Sequence, residues 1–172
     1  KDKIKLISAT VENVASMSTI HARSWKKAYR GLLLDHYLDS IPDDRWISML
    51  SKGIAEKTIV AWIAFVKVKP AGCVCIGESS YPNYQGQCEL ISIYVLPEYW
   101  RAGIGSLLMK QILKYARSHH YLEIGLWVLE GNNQAIKFYE RFDFFLNQDN
   151  ISCEIGAQTT TELRYIKKLS NY

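Results

Sequence analysis

The sequence lacks the features that mark several specialised classes of protein. None of its apolar runs approaches the roughly 18 residues that a membrane-spanning helix requires. Residues 1–8 alternate charged and apolar side chains and have no apolar stretch of signal-peptide length. The net charge is only +4, and no long block of lysine or arginine is present, so nothing indicates a dedicated nucleic-acid protein. We therefore expect a cytoplasmic protein with neither a membrane nor a nucleic-acid partner.

Cysteine is also scarce, with four residues in the chain. Their spacing fits no zinc pattern, and no histidine pair lies beside them at ligand spacing. Cys73 and Cys75 share one face of an apolar segment that has strand character. We expect reduced cysteines packed in the core and no bound metal.

The length and composition are those of a globular domain. Hydrophobic residues make up 48% of the chain, and repeats, low-complexity tracts and linkers are lacking. A chain of 172 residues suits one domain, so residues 1–172 are treated as a single unit.

Hydrophobic periodicity and turn residues predict a mixed α/β fold with the order β-α-α-β-β-β-α-β-α-β-β. Thr10 is a candidate cap for the first helix, with Asn13 in place of the Glu or Gln of a capping box, and Gly31 ends that helix. The predicted elements are strand 3–8, helix 10–29, a helix from 42, strands 58–68, 73–79 and 89–95, helix 104–117, strand 122–129, helix 132–141, and strands 144–146 and 162–169 separated by a polar loop.

A loop with two glycines follows the strand that begins at Glu89 and precedes a helix. Backbone N–H groups at a helix N-terminus bind phosphate, and Gly103 and Gly105 would let an anion approach closely. Arg101 could add a positive charge. A Rossmann loop requires a third glycine where Leu108 stands, and the Gly-Lys-Ser/Thr of a P-loop is absent. Taken alone, the segment favours a plain turn and helix cap over a phosphate site.

A second segment makes the pattern more specific. Asn132 and Ala135 form an Asn-x-x-Ala pattern after the next predicted strand, and Phe138-Tyr139 follows. Together the two segments resemble the GNAT superfamily of acyl-CoA-dependent N-acetyltransferases, closely over residues 89–144 and loosely in the order of elements. A further run at residues 25–34 resembles a variant common among bacterial members whose substrate is unassigned.

Two positions depart from the family pattern. Trp100 replaces the Gln or Arg that opens the phosphate loop, and Arg101 lies one place later. The loop binds mostly through backbone amides, so we expect it to remain functional. Asp143 replaces a glycine, and aspartate tolerates a left-handed conformation better than most residues, so the turn is expected to persist.

The resemblance implies a GNAT-like, centrally splayed sheet flanked by helices, with acetyl-CoA as co-substrate and its pantetheine arm in the gap between strands 89–95 and 122–129. It assigns cofactor binding to Ile93, Tyr94, Val95, Arg101, Ala102, Gly103, Ile104, Gly105, Ser106, Asn132 and Tyr139.

The chemistry requires a base and an acid. A lysine-type amine has a pKa near 10.4 and must lose a proton before it attacks. The departing thiolate then takes a proton, which a tyrosine can supply. By resemblance, Tyr139 is the candidate acid and Glu89 the candidate base. The alternatives are a core aromatic at Tyr139, an ion-paired glutamate at Glu89, and proton transfer through water.

The sequence does not identify the acceptor. Trp25 and Tyr29 lie where the family places its acceptor-binding helices, although helical aromatics serve core packing at least as often. Family habit suggests a homodimer. The leading hypothesis is an N-acetyltransferase in which a primary amine of a small molecule or peptide attacks directly in a ternary complex. The alternative is a non-catalytic acyl-CoA-binding sensor or regulatory module, and a nucleotide-binding Rossmann module ranks lower.

Overall fold

Seven strands form one sheet in the order β1-β2-β3-β4-β5-β7-β6. The computed structural model describes residues 3–170. All neighbouring strands are antiparallel except β4 and β5, which are parallel and joined through α4, as predicted. The elements are β1 (Ile4–Ser8), α1 (Val14–Ala28), α2 (Asp35–Ser40), α3 (Ile47–Ala55), β2 (Ile59–Val66), β3 (Lys69–Glu78), β4 (Cys88–Val95), α4 (Ile104–Ser118), β5 (Glu123–Leu129), α5 (Asn133–Glu140), β6 (Phe145–Ile155) and β7 (Gln158–Lys168).

Thr10 forms the predicted cap, but on a 3₁₀ turn at Val11–Asn13 that leads into α1 rather than on α1 itself. The Thr10 hydroxyl accepts a hydrogen bond from the Glu12 N–H, and the Asn13 side chain accepts one from the Thr10 N–H at 2.9 Å. Asn13 thus closes a capping box in the place of the usual Glu or Gln. Of the helices within residues 3–170, none has both the length and the apolar character needed to cross a membrane.

Helices cover both faces of the sheet. On one face α4 packs over a core that includes Val74, Leu90 and Leu126. On the other, α1 and α3 pack over Ile63 and the neighbouring cysteines of β3. Cys73, Cys75 and Cys88 are free and buried, as predicted, whereas Cys153 on β6 is only half-buried.

The sheet is splayed between β4 and β5. These strands pair only at Cys88 with Ile124 and at Glu89 with Gly125. The β3–β4 register shifts just beyond this point, so that Ile91 is an extra, unpaired residue. Such a bulge bends its strand and increases its twist. The bend leaves a gap between β4 and β5 from residue 90 onward.

The structure corrects the prediction in two places. A short helix, α2, lies between the two predicted N-terminal helices, and the second of these begins at Ile47 rather than near residue 42. The two late strands are much longer than predicted, because β6 and β7 form a continuous hairpin through a turn at Gly156 and Ala157. Both have positive φ, which a tight turn of this kind requires. Polar side chains on both faces of β6 conceal the alternation that would have marked it as a strand.

Candidate active site

A cavity of about 1260 Å³ occupies the gap between β4 and β5. It brings together residues from α1, β4, α4, β5 and α5. Three of the predicted site residues, Trp25, Glu89 and Ala102, are not part of its lining. The predicted residues that do line it are Tyr29, Ile93, Tyr94, Val95, Arg101, Gly103, Ile104, Gly105, Ser106, Asn132 and Tyr139.

One end of the cavity is suited to an anion. Gly103 is the N-cap of α4 with φ +87°, and no side chain caps the helix. The first N–H groups of α4 are therefore open donors, reinforced by the helix dipole. Arg101, which also adopts a positive φ, lines this cavity together with Lys137 and Arg141. Three cations beside an uncapped helix N-terminus fit a phosphate-bearing ligand.

The presence of Trp100 in place of the family's Gln or Arg has a structural explanation. Its indole Nε1 donates a 2.8 Å hydrogen bond to the carbonyl oxygen of Val95 and so ties the loop to the end of β4. The Val95 carbonyl is consequently occupied within the protein. Asp143 has φ +62°, so the turn predicted there persists with aspartate.

Three tyrosine hydroxyls converge at the middle of the cavity. The Tyr94 hydroxyl accepts a 2.9 Å hydrogen bond from Trp25 Nε1 and lies 3.5 Å from the Tyr29 hydroxyl. Tyr139 is close enough that its charged form would repel those of Tyr29 and Tyr94. Burial raises the pKa of all three phenols, so they stay protonated at neutral pH. The Tyr94 side chain went unrecognised in the sequence, because it alternates with core residues on a strand.

Tyr139 is positioned by α5. Asn132 caps this helix through Oδ1, which accepts a hydrogen bond from the Ala135 N–H at 3.3 Å. The Tyr139 ring packs against Phe138 at 5.6 Å and Phe144 at 5.9 Å between centroids. A side chain held by ring contacts on two sides can present its hydroxyl in one orientation. The Asn132 amide nitrogen remains available to a ligand.

Glu89 occupies a different environment from the one expected of a base. Both carboxylate oxygens accept hydrogen bonds from Arg164 Nη1, at 2.7 and 2.8 Å, and both side chains are buried. Burial raises the pKa of Glu89, and the ion pair with Arg164 pulls that pKa back down. The base role of Glu89 stays a prediction that this geometry does not favour, since its lone pairs are engaged away from the cavity lining.

The guanidinium of Arg164 reaches Glu89 by crossing β5 at Gly125. A Cβ on Gly125 would lie 2.1 Å from Arg164 Nη2, so only glycine permits the crossing. The guanidinium carbon lies 4.1 Å from the ring centroid of Tyr84 and 5.1 Å from that of Trp127. These ring faces stabilise the cation where Nε and Nη2 have no hydrogen-bond partner within residues 3–170. The pair thereby joins β4 to β7 at the closed end of the gap.

Comparison with known proteins assigns the family. The profile described as the Acetyltransferase (GNAT) family matches residues 16–144. The chain belongs to the GNAT family. Its membership makes it an acyl-CoA-dependent N-acyltransferase, because curated relatives and structural neighbours alike are named N-acetyltransferases.

Individual GNAT relatives are distant. An uncharacterized N-acetyltransferase of Bacillus subtilis, YuaI, is 27% identical over 140 residues, covering 78% of this chain and 76% of the relative. A spermidine N(1)-acetyltransferase of Thermoplasma acidophilum is 23% identical over 146 residues, 82% of this chain and 88% of the relative. The PaiA N-acetyltransferase of the same organism, solved with coenzyme A, aligns with a TM-score of 0.77 over 96% of this chain and 99% of that one, at 22% identity. At this identity the structural match establishes the shared fold.

His21 is a buried, uncharged histidine that contacts the wall of this GNAT site. Its Nδ1 lies 2.8 Å from the carbonyl oxygen of Met17 and its Nε2 lies 3.1 Å from the hydroxyl of Ser92, which lines the cavity. A neutral ring that donates from Nδ1 and accepts at Nε2 satisfies both contacts. Burial lowers the pKa of His21 to about 4, so the ring is uncharged at neutral pH.

We expect this histidine to make the fold sensitive to acid. Its pKa is about 4 when folded and about 6.5 when unfolded, so between these values only the unfolded chain binds the proton. Its contribution to stability is intact above pH 6.5 and is lost as the pH falls towards 4, by about 3 kcal/mol in all. Urea unfolding at pH 7, 5.5 and 4 should show a steeper loss in the parent than in His21→Gln. Parallel losses in the two proteins would contradict this account.

Proposed function

We propose that the protein transfers an acetyl group from acetyl-CoA to a primary amine of a small molecule or peptide, with the amine attacking directly in a ternary complex. The observation that carries this proposal is the convergence of Tyr139, Tyr94 and Tyr29 in a cavity that also opens onto the uncapped N-terminus of α4. A relative named for spermidine N(1)-acetylation adds support for an amine acceptor.

The cavity residues divide into two groups by chemistry. The N–H groups at the start of α4, with Arg101, Lys137 and Arg141, would bind the phosphates of the cofactor. Acetyl-CoA, when bound, supplies a thioester that an uncharged amine can attack. Tyr139 would donate a hydrogen bond, and finally its proton, to the departing sulfur atom. Because its pKa is raised, the Tyr139 phenol remains protonated and ready for this role.

Glu89 is not placed to take the proton directly from the ammonium group of the acceptor. The Glu89 carboxylate is engaged by Arg164, and the described cavity lining contains one carboxylate, the exposed Glu140 of α5. We therefore propose that the ammonium proton passes to water in the cavity. Glu89 would serve as the final proton acceptor only through that water, or not at all.

The direct test is acetyl-CoA-dependent release of free thiol by the purified protein across polyamines, aminoglycosides, amino acids and peptides with free N-termini. We expect thiol release with one class of amine, together with an acetylated product of the expected mass. Acetyl-CoA binding should be measured in parallel by calorimetry.

The two measurements separate the competing functions. Binding accompanied by amine-dependent release supports transfer. Acetyl-CoA binding without thiol release on any amine would favour the alternative, a non-catalytic acyl-CoA-binding module. Failure to bind acetyl-CoA would contradict both readings of the cavity.

A further inference from the structure

Glu162 of β7 lies on the same face of the sheet as Tyr29. In the β5–β7 register Glu162 is opposite Leu129, and directly opposed residues of antiparallel strands project to the same face. The Leu129 side chain packs in the cluster that contains Trp25 and Tyr29 of α1. Glu162 therefore lies beside the α1 wall, on the side of the sheet away from α4.

Among the described residues, no lysine, arginine or histidine forms an ion pair with this carboxylate. Its one hydrogen bond within residues 3–170 comes from the Cys153 thiol at a donor–acceptor distance of 3.7 Å. Arg164 is two residues away on the same face, but its guanidinium crosses Gly125 to reach Glu89. A half-buried carboxylate without a cation is costly, and a bound cation would relieve that cost.

Two tyrosines, Tyr29 and Tyr81, lie near enough to Glu162 for its charge to act on their hydroxyls. The Tyr81 ring packs at 5.2 Å from Trp127, which lines the cavity together with Tyr29. Ring faces attract cations, so the carboxylate and these rings favour the same kind of ligand, an ammonium group.

Glu162 is displaced from the reacting centre: among the described residues it does not itself line the cavity, whereas its neighbour Tyr29 does. Burial raises the pKa of Tyr29 and the charge of Glu162 raises it further, whereas the pKa of Tyr139 is raised by burial and by the charge of Tyr29. The Tyr29 hydroxyl lies 3.5 Å from that of Tyr94. An ammonium held at Glu162 would therefore lie on the Tyr29 side of the tyrosine centre.

We propose that Glu162 is a specificity-determining residue that binds a second positive charge on the acceptor, so that the preferred acceptors are diamines or polyamines. This inference rests on the proposed acetyl transfer. It assigns the attacking amine to the tyrosine centre and the second, unreacted ammonium to Glu162, with the rings of Tyr29 and Trp127 beside the chain that links them.

The test compares matched acceptors on matched variants. Acetylation of 1,4-diaminobutane and of butylamine, which differ by one ammonium group, would be measured on the parent, Glu162→Gln and Glu154→Gln. Glu154 lies on the same hairpin but is exposed and faces the other side of the sheet. Glu162→Gln should lower kcat/KM for the diamine by about 10- to 100-fold, the usual contribution of one charge-assisted contact. Butylamine kinetics and the Glu154→Gln control should change by less than about twofold, as expected where no such contact is lost.

Several outcomes would overturn the proposal. These are a parent enzyme that does not distinguish diamine from monoamine, an unchanged diamine preference in Glu162→Gln, or an equal loss for both amines. Calorimetry of 1,4-diaminobutane binding to the protein saturated with coenzyme A gives a readout independent of turnover. If no amine is acetylated but diamine binding still depends on Glu162, the transfer function fails while the Glu162 site stands; if the binding is equal in both proteins, the site fails.

Discussion

Tyr139→Phe should lower turnover by about 10²- to 10⁴-fold, the range that a positioned general acid usually contributes. The substitution removes one oxygen atom and keeps the ring contacts with Phe138 and Phe144. Because the proposed phosphate-binding end of the cavity is built from α4 and its flanking cations, acetyl-CoA affinity should change little.

The physical reason lies in the leaving group. Sulfur leaves as a thiolate, and the protonated Tyr139 hydroxyl can stabilise the charge that develops there. Burial raises the pKa of this phenol, which makes complete proton transfer harder but keeps the hydrogen atom in place at every working pH. Tyr139 should therefore act mainly by a hydrogen bond that strengthens as the carbon–sulfur bond breaks.

The measurement is single-turnover acetylation under saturating acetyl-CoA, with cofactor affinity measured separately. Tyr115→Phe is the matched control, since Tyr115 lies on α4 outside the cavity lining and stacks on His119 at 3.8 Å. Turnover of Tyr139→Phe equal to that of the parent would remove Tyr139 from the mechanism. A parallel loss of turnover and cofactor affinity would assign it to binding instead.

Local sequence signals account for most of the successful predictions. The loop between β4 and α4 was predictable because its determinants are contiguous: a strand end, glycines at Gly103 and Gly105, and a helix. The cap at Thr10 and the left-handed Asp143 are equally local. Each depends on the conformational preference of one or two residues, which the sequence displays directly.

The environment of Glu89 depends on a long-range contact that local sequence signals do not show. The partner of Glu89 is Arg164, 75 residues further along the chain, and the contact exists only because β7 inserts beside β5 and Gly125 leaves room for the guanidinium. No periodicity in the sequence reports that insertion. The same position of β7 between β5 and β6 places Glu162 near Tyr29.

The ion pair gives the second large effect, because Arg164→Met should reduce the free energy of unfolding by about 3–5 kcal/mol. The substitution leaves Glu89 buried beneath Tyr84 and Trp127 without its cation. Desolvation of one uncompensated charge is what makes the loss large, since a buried pair that is intact contributes little net stability. Urea denaturation at pH 7 measures this loss, and Lys110→Met on the exposed face of α4 is the control for a lost surface charge.

The double variant Arg164→Met, Glu89→Gln distinguishes a structural role of the Glu89–Arg164 ion pair from a role of Glu89 as the catalytic base. If the pair mainly closes the sheet below the gap, removing both charges should recover most of the stability lost in Arg164→Met, and acetyl transfer should recover with it. If Glu89 is the base, stability should recover while turnover stays low, and the acidic limb of the pH–rate profile should disappear in Glu89→Gln alone. We expect both stability and turnover to recover, because both carboxylate oxygens of Glu89 accept hydrogen bonds from Arg164. This contact lies at the end of the sheet where β4 and β5 still pair.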